Sequence, residues 1–525
     1  SLSDDQNRVI SELIKQEYYQ VNLLHGITGS GKSEIYLHLA KYWLNKGKQV
    51  LILVPEIGLT PQMINLFVSR LNEKVAIYHS KLSKQERHYQ YLRVKNKKAH
   101  VVVGTRSAIF LPFDNLGTII IDEEHDDSYK QNKMPRYHTR DIAIYRSKYH
   151  NCSCLLASAT PSLESYARAL KGVYKLLEIS TRVNGKLPHV ELVDMAQEAR
   201  TTGKQIISSQ LEKAITKTLA NHQQVMILLN RRGYTPISKC LSCQAVIQCD
   251  NCDVAMVYHK NTKVLKCHTC GMIKKLPKVC PQCGDNNFIP LGIGTQKLEE
   301  ELQNLFPNSK ILRMDRDTTI KKNSHQELYS EFANQEADIL VGTQMISKGL
   351  DFPQVALVGI LNADYLLNRL DYRAQETTFS LLTQAAGRAG RASFGASVII
   401  QAYQIDHYAL QDTKNHDYKQ FFVQEMKFRK LAGYPPYQFL ILVTLSGKKL
   451  EKIMATMIKV KEALINKKIY VLGVSQLLRR NNIESVRISL KGKDLDLLRD
   501  TLKEVLADYP QDIFSIDINP QHTEA

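Results

Sequence analysis

The chain has 525 residues, enough for roughly three or four domains. Its 43% hydrophobic and 23% charged residues exclude a largely disordered chain, and a formal net charge of +18 suits a polyanionic partner, most often nucleic acid. No apolar run approaches the ~20 residues that cross a bilayer, and Ser1-Leu2-Ser3-Asp4-Asp5 lacks the basic and apolar parts of a secretory signal, so the expectation is a cytoplasmic protein with no membrane partner.

Residues 1–180 alternate buried-strand runs with helical patterns, as parallel α/β sheets do. Strands are predicted at Val21–His25, Val50–Val54, Ala99–Val103, Thr118–Ile121 and Cys154–Ser158. A second alternating block starts near 220 with Val225–Leu229. It resumes at Lys310–Arg313, Ile339–Val341, Val355–Gly359 and Ala396–Gln401 after a cysteine-dense interruption. Beyond Gly433-Tyr434-Pro435-Pro436-Tyr437 the order strand, helix, strand, strand, helix, strand predicts a small α+β unit. Its elements are Phe439–Leu445, Leu450–Ile465, Tyr470–Gly473, Ser485–Leu490, Asp494–Ala507 and Phe514–Ile518.

Gly26-Ile27-Thr28-Gly29-Ser30-Gly31-Lys32-Ser33 fits the phosphate-loop pattern between a strand and a helix. Glycines let backbone N–H groups curl around phosphates at a helix N-terminus, which already favours anions. Lys32 is expected on the β/γ-phosphates of ATP and Ser33 on Mg²⁺. About 90 residues later an apolar strand runs into Asp122-Glu123-Glu124-His125. Asp122 is expected beside Mg²⁺, with Glu123 orienting or deprotonating water. In Gln384-Ala385-Ala386-Gly387-Arg388-Ala389-Gly390-Arg391, two arginines three apart are expected on one helical face, reaching into a cleft as arginine fingers.

Eight of the ten cysteines lie between 240 and 283, as four C-x₂-C pairs: Cys240/Cys243, Cys249/Cys252, Cys267/Cys270 and Cys280/Cys283. That spacing predicts two closed Cys₄ zinc sites that hold structure and leave no open position for Lewis-acid chemistry. Each site supplies ~10–16 kcal/mol in peptide models, replacing a core that so short an insert cannot build. Spacing does not fix which pairs share an ion. Cys152 and Cys154 read as ordinary strand thiols, and Trp43, at helical spacing with Tyr36 and Leu39, as packing. Arg479-Arg480 and Lys467-Lys468 read equally as DNA contacts or solvated charge.

These motifs, in two RecA-like parallel-sheet units, resemble a superfamily 2 helicase motor of the DEAH-type group. Further stretches agree in order: Gln6 as an adenine contact, Pro55-Glu56-Ile57 through Thr60-Pro61-Gln62 as motif Ia, Gly104-Thr105-Arg106-Ser107 as motif Ib, Ser158-Ala159-Thr160 as motif III, and Val341-Gly342-Thr343-Gln344 through Lys348-Gly349-Leu350-Asp351 as motif V. The resemblance implies that motifs Ia, Ib and V grip one strand's phosphates, and that Ser158 and Thr160 couple hydrolysis to movement.

With the cysteine insertion, the chain resembles the PriA (primosomal protein N′) family of replication-restart helicases. The implied fold has RecA-like lobe 1 over 1–180 and lobe 2 over 181–235 and 290–432. A two-zinc insertion fills 236–289 and a C-terminal α+β domain 433–525. The resemblance implies nested zinc ligation: Cys240, Cys243, Cys280 and Cys283 on one ion, the four inner cysteines on the other. It implies a 3′–5′ ATP-dependent DNA helicase acting on forked and single-stranded DNA. Implied partners are single-strand DNA-binding protein and the replicative helicase loader, with a monomeric chain. Residues 126–141 resemble the family's aromatic-rich loop, with Tyr129, Tyr137 and His138 as stacking groups and Met134-Pro135 where many relatives carry Trp. Gly473-Val474-Ser475-Gln476 lacks the Pro-rich turn common in relatives. The family's N-terminal DNA-binding region has no counterpart before Gln6, and position 1 is not Met, so the expected natural start lies upstream.

Overall fold

A computed structural model describes all residues except 1, 57, 72–73, 184–186, 205, 230–236, 241–246, 251–255, 260–263, 268–271, 285–287, 292–294, 315–323, 344–351, 353, 369–370, 390–395 and 524–525. By internal contacts it divides into two units. One comprises Ser1–Asn230, Asn308–Leu367 and Gln375–Gln424; the other comprises Arg231–Pro307, Asn368–Ala374 and Glu425–Ala525.

The first unit holds two parallel sheets. Strands β1 (Gln20–Gly26), β2 (Gln49–Leu53), β3 (Val75–Tyr78), β4 (Val101–Gly104), β5 (Leu116–Asp122), β6 (Ser153–Ser158) and β7 (Lys175–Ile179) form one, ordered β3-β4-β2-β5-β6-β1-β7. Its central strands are continuous Val/Ile/Leu runs because helices cover both faces. Every residue of β2, β4 and β6 is buried. Trp43, Tyr36 and Leu39 of the helix Lys32–Asn45 join that core, as their spacing predicts. Cys154 is a buried strand thiol and Cys152 is buried one residue before that strand; burial pushes them up to about 12 and about 11. Adjacent β5, β6 and β1 bring Asp122 opposite Ala157 and His25 opposite Ser158, so three sequence-distant motifs share one sheet end.

The second sheet begins earlier than its sequence suggests. Strands β8 (His189–Asp194) and β9 (Gln224–Leu229) precede the cysteine-rich insertion, whose strands are β10 (Ile237–Cys240), β11 (Val257–His259), β12 (Val264–Lys266), β13 (Ile273–Lys275) and β14 (Phe288–Leu291). After it, β15 (Ile311–Met314), β16 (Ile339–Gly342), β17 (Val355–Leu361) and β18 (Ser397–Ala402) complete a parallel sheet ordered β15-β16-β9-β17-β18-β8. β8 sits at its edge and carries no continuous apolar run, which hides it from hydrophobic patterning.

In the second unit the insertion forms an antiparallel sheet, β13-β12-β11-β10-β14. Its small core joins Met256 and Leu265 to Cys249 and Cys267. The C-terminal strands β19 (Phe439–Gly447), β20 (Tyr470–Gln476), β21 (Glu484–Gly492) and β22 (Phe514–Ile518) form an antiparallel sheet ordered β20-β21-β19-β22. Helices Leu450–Asn466 and Leu495–Leu506 share its apolar core. Among the described residues, no helix is long and apolar enough to cross a membrane.

Candidate active site

The phosphate loop leaves β1 and enters the helix Lys32–Asn45 through two left-handed glycines, Gly29 (φ 82°) and Gly31 (φ 74°). L-residues rarely adopt that conformation. Gly31 is the N-cap and no side chain caps the helix, so its first amides face the loop. Lys32 Nζ donates to the Gly26 carbonyl at 3.0 Å and stands 4.0 Å from Glu123. Ser30 Oγ is buried with no hydrogen-bond partner. Positive-φ glycines, an uncapped helix start, an orphaned hydroxyl and a lysine together fit a polyphosphate.

Gln6 lies against this loop. Its Nε2 donates to Ser30 O at 3.0 Å, while its Oε1 accepts from Ser3 N at 2.8 Å in the capping box of helix Asp4–Ile14. Residues Gly26, Thr28, Gly29, Ser30, Gly31, Lys32 and Ser33 all lie in this loop and the start of its helix.

Asp122 ends β5 and accepts the Tyr36 hydroxyl at 2.6 Å. Burial, then the adjacent Glu123 charge, pushes it up to about 6, against Lys32 and the Tyr36 hydrogen bond. Glu123 adopts a left-handed φ of 47°, a strained conformation of the kind that clusters at functional sites. Its neighbour Glu124, fully buried, is a hub that no sequence motif marks as one. It accepts from Ser162 N (2.6 Å), Ser165 Oγ (2.9 Å) and Arg140 (3.2 Å), tying β5 to the segment after motif III.

The second sheet's helix Ala374–Ala386 presents a polar ridge to the first lobe. Glu376 accepts from Leu163 N at 3.0 Å, Ser380 meets Thr160 Oγ1 at 2.8 Å, and Gln384 Nε2 donates to Glu123 at 3.2 Å and to His125 Nε2 at 3.0 Å. These residues are four apart, so they share one helix face. Because His125 Nε2 accepts from Gln384, the network assigns its proton to Nδ1, which donates to Ser158 Oγ at 2.7 Å. Ser158 also accepts from Thr160 N at 2.9 Å. Gln384 opens the quoted arginine motif, yet only its arginines were singled out from sequence.

Arg388 lies beyond the helix on which its spacing places it. The helix ends at Ala386, and Arg388 sits in the turn that follows, where its N–H donates to Ala385 O. Gly387 lets that turn pack on the phosphate loop, because a Cβ there would stand 2.5 Å from Thr28. Arg391 lies outside the described residues, as do motif V residues 344–351.

The aromatic-rich loop does not expose its three expected stacking groups, since Tyr129 and His138 are buried. Tyr129 is 1% exposed and donates to Asp122 O at 2.6 Å, so it is core and cannot stack on a base. His138 is buried and caps helix Thr139–Tyr149 through Arg140 N. Tyr137 packs edge-on against Phe110 at 5.1 Å, and Phe110 itself is 56% exposed. Arg106 of motif Ib donates to Ser128 O and Lys130 O, holding this loop to the lobe. In the second unit, Arg479 donates to Asp250 O at 3.0 Å, so one of the ambiguous basic pairs is partly structural.

Among the described cysteines, Cys249, Cys267 and Cys280 are buried and Cys283 is exposed. Gln282 N–H points at Cys280 Sγ, 3.4 Å away, a polarity that steadies a metal-bound thiolate. Cys243, Cys252 and Cys270 lie outside the described residues, and Cys240 is described only as the end of β10.

Family comparisons agree with this arrangement. The DEAD/DEAH box helicase family matches residues 3–169, the helicase conserved C-terminal domain residues 287–393, and the PriA DNA helicase Cys-rich region residues 249–275. A Rickettsia prowazekii (strain Madrid E) protein, Replication restart protein PriA, is 39% identical over 479 residues, 91% of this chain and 74% of its own length. The chain belongs to the PriA family. Two further PriA relatives are 45% identical over 99% of the chain (Bacillus subtilis, strain 168) and 44% over 87% (Synechocystis sp., strain ATCC 27184 / PCC 6803 / Kazusa). The chain spans 66% and 57% of those two PriA proteins. Among solved structures, RecG bound to a three-way DNA junction is 18% identical with a TM-score of 0.49, covering 82% of this chain and 47% of that one. The PriA Cys-rich match takes in Cys249, Cys252, Cys267 and Cys270.

Proposed function

We propose that this chain is an ATP-dependent 3′–5′ DNA helicase that acts on forked DNA and promotes primosome assembly and replication restart. The observation that carries the reading is the contact of Gln384, from the second lobe, with Glu123 at the end of β5. It makes the proposed base sensitive to the relative position of two lobes that would step along one strand.

Each residue has a proposed role. The loop from Gly26 to Ser33 cradles phosphates with backbone N–H groups, Lys32 carries positive charge to them, and Gln6 braces the loop from behind. Ser33 and Asp122 would hold Mg²⁺, and Glu123 would orient and deprotonate water. Arg388, with Arg391, would approach from the second lobe to stabilise developing negative charge. When bound, ATP with its divalent ion supplies the phosphoanhydride whose cleavage drives the cycle. Ser158 and Thr160 link Glu123, through His125 and Gln384, to Ser380, so a change at the carboxylate is felt across the lobe boundary.

The proposed division is lobe 1 over 1–180, lobe 2 over 181–235 and 290–432, a two-zinc insertion over 236–289 and a C-terminal unit over 433–525. We place Cys240, Cys243, Cys280 and Cys283 on one zinc, and Cys249, Cys252, Cys267 and Cys270 on the other. Proposed partners are forked and single-stranded DNA, single-strand DNA-binding protein and the loader of the replicative helicase. The proposed active form is a monomer in the cytoplasm at the replication fork. Strand displacement on a short fork tests the reading. ATP-dependent release of the displaced strand supports it, whereas ATP hydrolysis without release would indicate a translocase that tracks duplex instead.

A further inference from the structure

The segment that leaves β7 is laid along the phosphate loop. Ile27 N–H donates to Ile179 O at 3.1 Å, Val183 N–H donates to Gly29 O at 3.0 Å, and Thr181 Oγ1 donates to Asp5. Arg182 lies between these anchors. Its guanidinium covers Gly29 so closely that a Cβ there would stand 2.9 Å from Nε. It then reaches the second lobe, where Nη2 donates to Gly387 O at 3.2 Å and Nη1 to Ala389 O at 3.4 Å. Those two carbonyls flank Arg388. The same turn is pressed on the loop from the other side, since Gly387 approaches Thr28 without room for a Cβ. Phosphate loop, linker and the turn bearing Arg388 therefore meet at one guanidinium.

We propose that Arg182 is a positioning residue of the hydrolysis cycle. Its planar fork grips the carbonyls on both sides of Arg388 and holds that turn in register with the phosphate loop. A lysine could reach one carbonyl as a point charge but could not span both. The proposal rests on the nucleotide-hydrolysing reading above and adds a residue that no motif in the sequence marks. Arg182 acts through the placement of Arg388, so its loss should slow turnover and leave ground-state nucleotide affinity nearly unchanged.

DNA-stimulated steady-state ATP hydrolysis by the full chain is the test, with Arg182→Ala, Arg182→Lys, Arg388→Ala and the double Arg182→Ala/Arg388→Ala. Small misplacements of catalytic groups cost up to about 100-fold, so kcat of Arg182→Ala should fall ~10- to 100-fold with KM for ATP within about threefold. Arg182→Lys should recover only a minor part. The double variant should be no slower than Arg388→Ala alone, because both changes disable one unit. Three results would overturn the proposal: wild-type kcat in Arg182→Ala, a raised KM at unchanged kcat, or multiplicative losses in the double variant. If the unaltered chain hydrolyses no ATP, the underlying reading falls and this proposal with it. If it does and Arg182→Ala matches it, only the Arg182 role falls.

Discussion

Gln384 and Glu123, 261 positions apart, meet at 3.2 Å through an amide N–H and a carboxylate oxygen. The same amide donates to His125, so one side chain of the second lobe holds two residues of the acidic motif at once. Gln384→Ala should lower kcat for DNA-stimulated ATP hydrolysis by ~10- to 100-fold, the range lost when a base is misoriented, and leave KM for ATP little changed. Steady-state kinetics checks both numbers. An unchanged kcat would remove Gln384 from the coupling path.

Glu124 and Arg140 form a buried pair whose remaining hydrogen bonds come from Ser162 and Ser165. Removing one partner of such a pair leaves an uncompensated charge, at a cost of ~3–5 kcal/mol. Glu124→Ala should therefore destabilise the first lobe by about that amount. The sole tryptophan, Trp43, is buried in that lobe's core, so its fluorescence during chemical denaturation reports the relevant transition. A midpoint matching the unaltered chain would show that the Glu124 hub does not hold the segment.

His25 packs among Tyr166 and Tyr418, faces Glu178, Lys32 and Lys419, and precedes the phosphate loop. Burial pushes its pKa down from 6.5 to about 4, only partly offset by Glu178. The unfolded chain binds the proton more readily, so this group's contribution is full above pH 6.5 and is lost as pH falls toward 4. At 1.36 kcal/mol per pKa unit the loss approaches about 3 kcal/mol. His25→Phe keeps a ring in the cluster without a titrating proton. Between pH 6.5 and 4 its Trp43-monitored stability should fall less than that of the unaltered chain, by up to about that amount. Parallel curves for the two proteins would refute the assignment.

If the four C-x₂-C pairs form two Cys₄ sites as proposed, zinc analysis of the purified chain should find two ions per chain. Cys267→Ser should lose at least one ion and loosen the small core of Cys249, Met256, Leu265 and Cys267. A value near zero in protein never exposed to chelator would refute the Cys₄ reading.

Central strands were legible in the sequence because burial on both faces leaves continuous apolar runs such as Val101–Gly104. Within the two parallel sheets, the strands that no apolar run marks, β3, β7 and β8, are all at sheet edges, where half-buried patterns break the run. The phosphate loop was legible because its ligands are contiguous. Arg182, Glu124 and the pairing of Gln384 with Glu123 were not, since each acquires its meaning from chain brought together only by folding. Tyr129 misled for the opposite reason. An aromatic in a polar loop suggests an exposed stacking group, yet this ring is buried and its hydroxyl is spent on Asp122 O. The spacing allows Arg388 a place on a helix, but that helix ends at Ala386 and the turn after it packs closely on Thr28 through Gly387.

In the proposed cycle, hydrolysis at the phosphate loop is tied to DNA through the two lobes. The most direct test compares ATP hydrolysis without DNA and with forked, single-stranded and blunt duplex DNA, for the unaltered chain and Lys32→Ala. The account predicts stimulation by forked and single-stranded DNA above blunt duplex, and loss of that stimulated hydrolysis in Lys32→Ala. Stimulated hydrolysis that persists in Lys32→Ala, or a rate indifferent to DNA, would contradict it.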